Sequence, residues 1–189
     1  MLKKAEIFLI GGSAGSLKVI LETLPGLRKG LSFPIVIILH RKPYPDSILN
    51  ALLSSYTDLE VFEVEDKMSL ENGCIYVVPP DYHLLFENKN LVSLDSSEKM
   101  NYSRPSIDVT FQSAAEVFEE NTVALLLSGA NADGVDGLCR IKHNNGIILV
   151  QDPQTAEVDY MPRQAVSRVQ VDYLLKPEEL AVFINQLSV

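Results

Sequence analysis

Four segments of this chain, Glu6–Gly11, Pro34–Leu39, Val123–Leu127 and Ile147–Val150, are short and apolar almost throughout, with no polar residue at every second position. A strand with one wet face alternates, so strands of this kind must be covered on both faces. Between them the apolar residues recur at helical spacing. Leu17, Ile20, Leu21 and Leu24 run up to the breaker Pro25-Gly26, and Ile48, Leu49, Leu52 and Leu53 follow Pro43, Pro45 and Asp46. Further helices are expected over Ile107–Phe118 and from about Asp136 to Lys142. Strands apolar on both faces that alternate with helices specify an α/β fold built on a parallel sheet.

The middle of the chain departs from this rhythm. Gly73–Val78 has the composition of another strand, and His83–Glu87 and Leu91–Leu94 flank the turn-prone Asn88–Asn90, which predicts a hairpin and an antiparallel edge. A short helix beginning at Pro162, a strand at Tyr173–Leu175 and a helix from Pro177 to about Leu187 complete the series. At 189 residues, with no linker, repeat or low-complexity segment, a single core is expected.

Charge narrows the function. Asp and Glu outnumber Lys and Arg by 25 to 16, for a net charge of -9, so there is no overall positive field to attract a nucleic-acid backbone or an anionic membrane surface. The longest apolar stretches fall well short of the roughly 20 residues that span a bilayer, so membrane insertion is not expected. Met1-Leu2-Lys3-Lys4 imitates the start of a signal peptide, but Glu6 and Gly11-Gly12 interrupt it. Cys74 and Cys139 form no C-x-x-C pair and have no histidine nearby in sequence. A disulfide framework and a metal site are therefore not expected, and the location is read as cytoplasmic.

In open α/β sheets ligands bind beyond the carboxyl ends of the strands. There the sequence offers Gly11-Gly12-Ser13-Ala14-Gly15-Ser16, then His40, then Ser128-Gly129-Ala130-Asn131-Ala132-Asp133-Gly134. Gly11 to Gly15 has the G-x-S-x-G spacing of a nucleophile elbow. A glycine-rich turn for a dinucleotide is the alternative, weakened because Ser13 stands at the middle glycine and the second strand ends in His40 rather than an acid; a plain tight turn is the other. A hydroxyl needs a base, which His40 can be, though a lone histidine at a strand end also serves simply as a structural residue. A carboxylate must then orient the imidazole. Asp133 is the candidate and Asp136 its competitor, and either can instead cap the following helix. The amide of Ala14 is the first candidate for an oxyanion donor. The order Ser, His, Asp differs from that of α/β-hydrolases, so that fold is not expected.

With these residues together, the sequence resembles the catalytic domain of the CheB family of chemotaxis protein-glutamate methylesterases over nearly its whole length. The likeness is carried by Ile10–Ser13, the strand ending in His40, Val78–Leu84, Arg104–Asp108, Leu127–Gly129 through Asp133-Gly134, Gln151-Asp152 and Met161–Val166. The resemblance implies a doubly wound, mainly parallel sheet with helices on both faces and an antiparallel hairpin at one edge. It implies a Ser13, His40, Asp133 triad that needs no cofactor and no metal. It also implies hydrolysis of glutamate 5-methyl esters on a methyl-accepting chemotaxis receptor, with deamidation of receptor glutamines as a related activity. Residues 1–189 are expected to be one such domain, beginning at its first strand without the phospho-receiver domain that family members generally carry.

Departures from the family pattern are Ala14-Gly15-Ser16 in place of Thr-Gly-Gly, Ala130 and Asn131 in place of methionine and glycine, and Leu39 and Arg41 around the histidine. They motivate a second expectation, a degenerate homologue that binds a receptor or signalling partner without turnover, and a third, a hydrolase of another ester or amide. Ala130 and Arg104 join Ala14 as candidate oxyanion or substrate contacts. His83 is expected to be structural. A basic patch is expected near Arg41, Lys42, Arg104 and Arg163, to offset the acidity of the chain.

Overall fold

A computed structural model describes residues 4–42 and 48–187. In chain order the described elements are strand β1 (Ile7–Gly12), helix α1 (Ser16–Thr23), β2 (Ile35–Leu39), α2 (Leu49–Ser54), β3 (Val61–Glu63), β4 (Ile75–Val77), β5 (His83–Asn88) and β6 (Leu91–Asp95). They continue with α3 (Ile107–Phe118), β7 (Thr122–Leu126), α4 (Val135–His143), β8 (Ile147–Gln151), α5 (Tyr160–Arg168), β9 (Tyr173–Leu175) and α6 (Pro177–Gln186). Seven strands form one parallel sheet in the order β3-β4-β2-β1-β7-β8-β9.

The uninterrupted apolar runs are explained by two separate cores, one on each face. Ile7, Leu9, Val36, Ile38, Ala124, Leu126, Ile148 and Val150 point into a core shared with α3 and α4. Phe8, Ile10, Ile35, Ile37, Val123, Leu125 and Leu149 point into the other, shared with α1 and α6. Every residue of β1, β2, β7 and β8 is buried.

The hairpin is present at β5 and β6, but it is a two-stranded sheet of its own rather than a hydrogen-bonded edge of the main one. It lies on α3, joined by the Thr110 hydroxyl to the Leu84 carbonyl (3.1 Å), by the Phe86 amide to the Ser113 hydroxyl (2.8 Å) and by an edge-to-face contact of Phe86 with Phe118. Strand β3 is not foreshadowed by the sequence. It has three residues, is only partly buried and sits at the sheet edge, so its pattern is too short to carry a period.

The strand order sets the position of the site. From β1 the chain passes to β2, on to the edge strand β3 and back to β4 between them, then crosses to build the other half outward from β7, so the order reverses between β1 and β7. At such a switch point the loops diverge and leave a crevice. The loops after β2, β1 and β7, which hold His40, Ser13 and Asp133, are the three that border it.

Candidate active site

Backbone hydrogen bonds run past the ends of the strands and fix these loops side by side. The Leu127 amide donates to the Gly11 carbonyl (2.9 Å), the Ser13 amide to the Ser128 carbonyl (2.9 Å) and the His40 amide to the Gly12 carbonyl (3.2 Å). After Ser13 the chain turns into α1 through Gly15, whose φ of 80° is open to glycine at little cost. The Ser16 amide and hydroxyl both donate to the Ser13 carbonyl. Gly129 lets the neighbouring loop approach: a Cβ there would stand 3.1 Å from the Ser13 Cβ and 2.5 Å from Met161 Cε.

His40 and Asp133 meet. His40 Nε2 lies 2.6 Å from Asp133 Oδ2, and the Asp133 side chain is fully buried. Four further groups donate to this carboxylate: the Ile107 amide (2.7 Å), the Asp108 amide (3.1 Å), the Ser106 hydroxyl (2.9 Å) and Asn101 Nδ2 (3.2 Å). Two of these are amides from the first turn of α3, where the helix dipole also favours an anion. Burial alone would raise the pKa of Asp133, but the bond to His40 and the two amides outweigh it and hold the group down at about 2. An acceptor that stays ionised fixes the proton on Nε2 and leaves Nδ1 of His40 as the nitrogen able to take a proton. Asp136 is exposed on α4 and pairs with Arg168 at 2.6 Å, away from this arrangement.

Ser13 and His40 line one cavity of about 390 Å³, whose other walls are largely Leu17, Leu39, Leu49, Leu52 and Ile48. A second depression of about 320 Å³ lies on another side of His40, bordered by Lys42, Asp81, Lys99, Tyr102 and Arg104. Ala14 and Ala130 are exposed, each on a loop flanking Ser13. Arg104 borders the second depression, but its Nη1 is spent on the carbonyls of Ser96 (2.8 Å) and Ser97 (2.7 Å).

The basic patch is mostly paired internally. Arg41 meets Glu63 at 2.8 Å and Arg163 meets Asp159 at 2.6 Å, which leaves Lys42 and Lys99, among the described residues, as exposed cations beside His40. His83 is a buried brace: its Nδ1 accepts from the Ser106 amide (3.0 Å), so its Nε2 carries the proton and donates to the Glu98 carbonyl (2.9 Å).

Three residues of this network are given no role at the site by the sequence, although Ser106 and Asp108 fall in the Arg104–Asp108 segment that carries the resemblance. Ser106 has a visible signal, a serine at the start of a periodic run, and its hydroxyl caps α3 as well as meeting Asp133. Asp108 has the weaker signal of an acid in a first turn. Asn101 has only its place in a turn, with φ of 52° beside Tyr102 at 63°, a conformation in which asparagine is common.

Residues 8–184 match the family described as CheB methylesterase. A Leptospira interrogans protein named provisionally for the paired methylesterase and glutaminase activities is 42% identical over 183 residues, covering 97% of this chain and 95% of its own. The protein-glutamate methylesterase/protein-glutamine glutaminase of Thermotoga maritima is 33% identical over 93% of this chain, which spans only 53% of that protein. The crystal structure of the Thermotoga maritima CheB methylesterase catalytic domain superposes with a TM-score of 0.92 at 31% identity, over 98% of this chain and all of that one. In sequence and in fold, therefore, the chain belongs to the CheB methylesterase family.

Proposed function

We propose that this protein hydrolyses glutamate 5-methyl esters on a methyl-accepting chemoreceptor, with Ser13 as nucleophile, His40 as general base and Asp133 as the carboxylate that orients it. The observation that carries this reading is the 2.6 Å contact of His40 Nε2 with an ionised Asp133 in the crevice where His40 and Ser13 share a cavity. The Ser13 hydroxyl attacks the ester carbonyl carbon while Nδ1 of His40 takes its proton. The oxyanion is received by the amides of Ala14 and Ala130, which flank Ser13. Collapse of the tetrahedral intermediate breaks the bond to the methoxy oxygen, which leaves as methanol with the proton from His40. Water, deprotonated by His40, then attacks the acyl-enzyme and releases the glutamate carboxylate and the serine. A glutamine side chain follows the same path with ammonia as leaving group.

The leucine-lined wall of the cavity suits the apolar flank of a receptor segment, and Lys42 and Lys99 suit acidic side chains beside the ester. Arg104 belongs to this reading as a support for the rim. The described elements pack about one sheet, which supports a single catalytic domain. Two free cysteines, Cys74 and Cys139, fit a reducing cytoplasm.

Methanol release from a methylated receptor fragment is the test. The wild-type protein should release methanol with multiple turnovers, and Ser13→Ala should lower the rate by about 10⁴-fold or more, the scale seen when a nucleophile is removed. Undiminished turnover by Ser13→Ala would refute the assignment.

A further inference from the structure

Asp108 takes no part in the steps above, yet it is 5% exposed and its carboxylate is fully engaged. One oxygen accepts from the amides of Gly134 (2.9 Å) and Gly137 (2.7 Å), and the other accepts from Asn101 Nδ2 (2.9 Å). The two glycine amides belong to the start of α4, the helix that follows Asp133 directly. Asp133 in turn accepts from the amides of Ile107 and Asp108, at the start of α3. Each helix thus carries, at or just before its start, the carboxylate that caps the other, and Asn101 Nδ2 donates to both. The approach this demands is close: a Cβ on Gly137 would stand 2.5 Å from Phe111 Cβ and 3.2 Å from Asp108 Cα.

This exchange is not what local chemistry favours. An aspartate beside a helix start normally turns back to cap that same helix. Asp133, one residue ahead of the cap position Gly134, is placed to do so. It is free to face His40 because another carboxylate already holds the α4 amides. Two ionisable carboxylates side by side in an interior are also electrostatically unfavourable, so simple helix capping would be better served by Ser or Asn.

We propose that Asp108 and Asn101 are positioning residues for the reaction: Asp108 occupies the α4 amides that Asp133 would otherwise cap, and Asn101 fixes the orientation of the Asp133 carboxylate toward His40. The proposal rests on the hydrolase reading for its effect on turnover, but not for its effect on His40. When Asp108 is truncated, Asp133 turns to its own helix and the imidazole loses its partner.

The experiment compares Asp108→Ala, Asp108→Asn and Asn101→Ala with the wild-type protein. One readout is the NMR resonance of the His40 Nε2 proton, shifted downfield by a short bond to a carboxylate; the other is kcat and KM for methanol release. Asp108→Ala should lose the downfield resonance and lower kcat by about 10- to 100-fold, the scale of a misplaced catalytic group, with KM changed little. Asp108→Asn keeps an oxygen for the glycine amides and should restore most of both. Asn101 lies in an exposed turn, so Asn101→Ala should fold and should broaden or shift the same resonance with a several-fold lower kcat. A folded Asp108→Ala protein with the wild-type resonance and kcat would overturn the proposal. If that variant does not fold, a wild-type resonance and kcat in Asn101→Ala would overturn it equally, and loss of kcat with an unchanged resonance would reduce both residues to structural supports. If the wild-type protein releases no methanol but the His40 resonance responds as described, the positioning roles stand and the hydrolase reading falls.

Discussion

Replacing Asp133 by asparagine is the substitution whose cost is best defined by the structure. The carboxylate of Asp133 is held at about 2 against an ordinary 3.8, a difference worth about 2 kcal/mol of folding stability when the group is charged. Asparagine loses that contribution and also turns an N–H toward a site where five groups donate, leaving at least one buried donor without an acceptor for a further ~1–3 kcal/mol. The expected loss at pH 7 is about 3–5 kcal/mol. The sign of its pH dependence is fixed: a depressed value in the folded state gives stability that is complete above 3.8 and disappears as the pH falls toward 2. The gap between wild-type protein and Asp133→Asn should therefore narrow on acidification, with about half of the charge-dependent part gone by pH 3. Urea denaturation at pH 7, 4.5 and 3 measures it. A gap below about 1 kcal/mol at pH 7, or one that stays constant down to pH 3, would refute the reasoning that a charged, multiply bonded Asp133 anchors α3.

The neighbouring carboxylate has the opposite dependence. Burial first, and then the charges of Asp133 and Asp136, push Asp108 up to about 7, so its contribution is complete below 3.8 and is lost as the pH rises to 7, by up to about 4 kcal/mol. Asp108→Asn has no such proton to lose, and its stability relative to wild-type protein should rise between pH 4 and 8; parallel denaturation curves would contradict this. Gly134→Ala combines a φ of 98° with a Cβ 2.7 Å from Leu126 Cδ1 and 2.8 Å from Ile107 Cγ2. Its Tm should fall by about 5–15 °C, from ~2–4 kcal/mol of strain and overpacking at ~2–4 °C per kcal/mol, and a fall under 2 °C would argue against so tight a loop. The Ser128 hydroxyl lies 2.7 Å from the Ala14 carbonyl and accepts from the Val158 amide at 2.9 Å, so Ser128→Ala should cost ~1–3 kcal/mol in thermal or urea unfolding and leave the loop after Ser13 less well held.

What was legible in the sequence was whatever the two buried faces of the sheet impose. The runs at β1, β2, β7 and β8 could be read as doubly covered strands because nothing else makes a run such as Pro34–Leu39 apolar at every position. The helix over Ile107–Phe118 and the strand at Tyr173–Leu175 fall where expected. The hairpin was visible from its turn residues, but a turn is local and does not say which sheet its strands join; packing on α3 decides that. Ser13, His40 and Asp133 stood out because strand ends are where an α/β sheet exposes polar groups. Loop position alone leaves Asp136 as a competitor of Asp133, since both sit near the start of α4; the family resemblance points to Asp133, and the crossing of α3 with α4 turns it inward and leaves Asp136 to Arg168. Asn101 and Asp108 were hidden for the same reason. Apart from the bond between the two, which spans 7 residues, their partners are 25 to 32 residues away along the chain, and no periodicity links an exposed turn to a buried carboxylate.

The central claim is that the Ser13 hydroxyl is made nucleophilic by a histidine held on Asp133. Reaction with a fluorophosphonate, followed by mass spectrometry of the digested protein, tests that activation without requiring the natural substrate. The account predicts a single adduct on Ser13, absent from Ser13→Ala and formed far more slowly in His40→Gln. An unmodified Ser13, or labelling of Ser13 at the same rate when His40 is replaced, would contradict it.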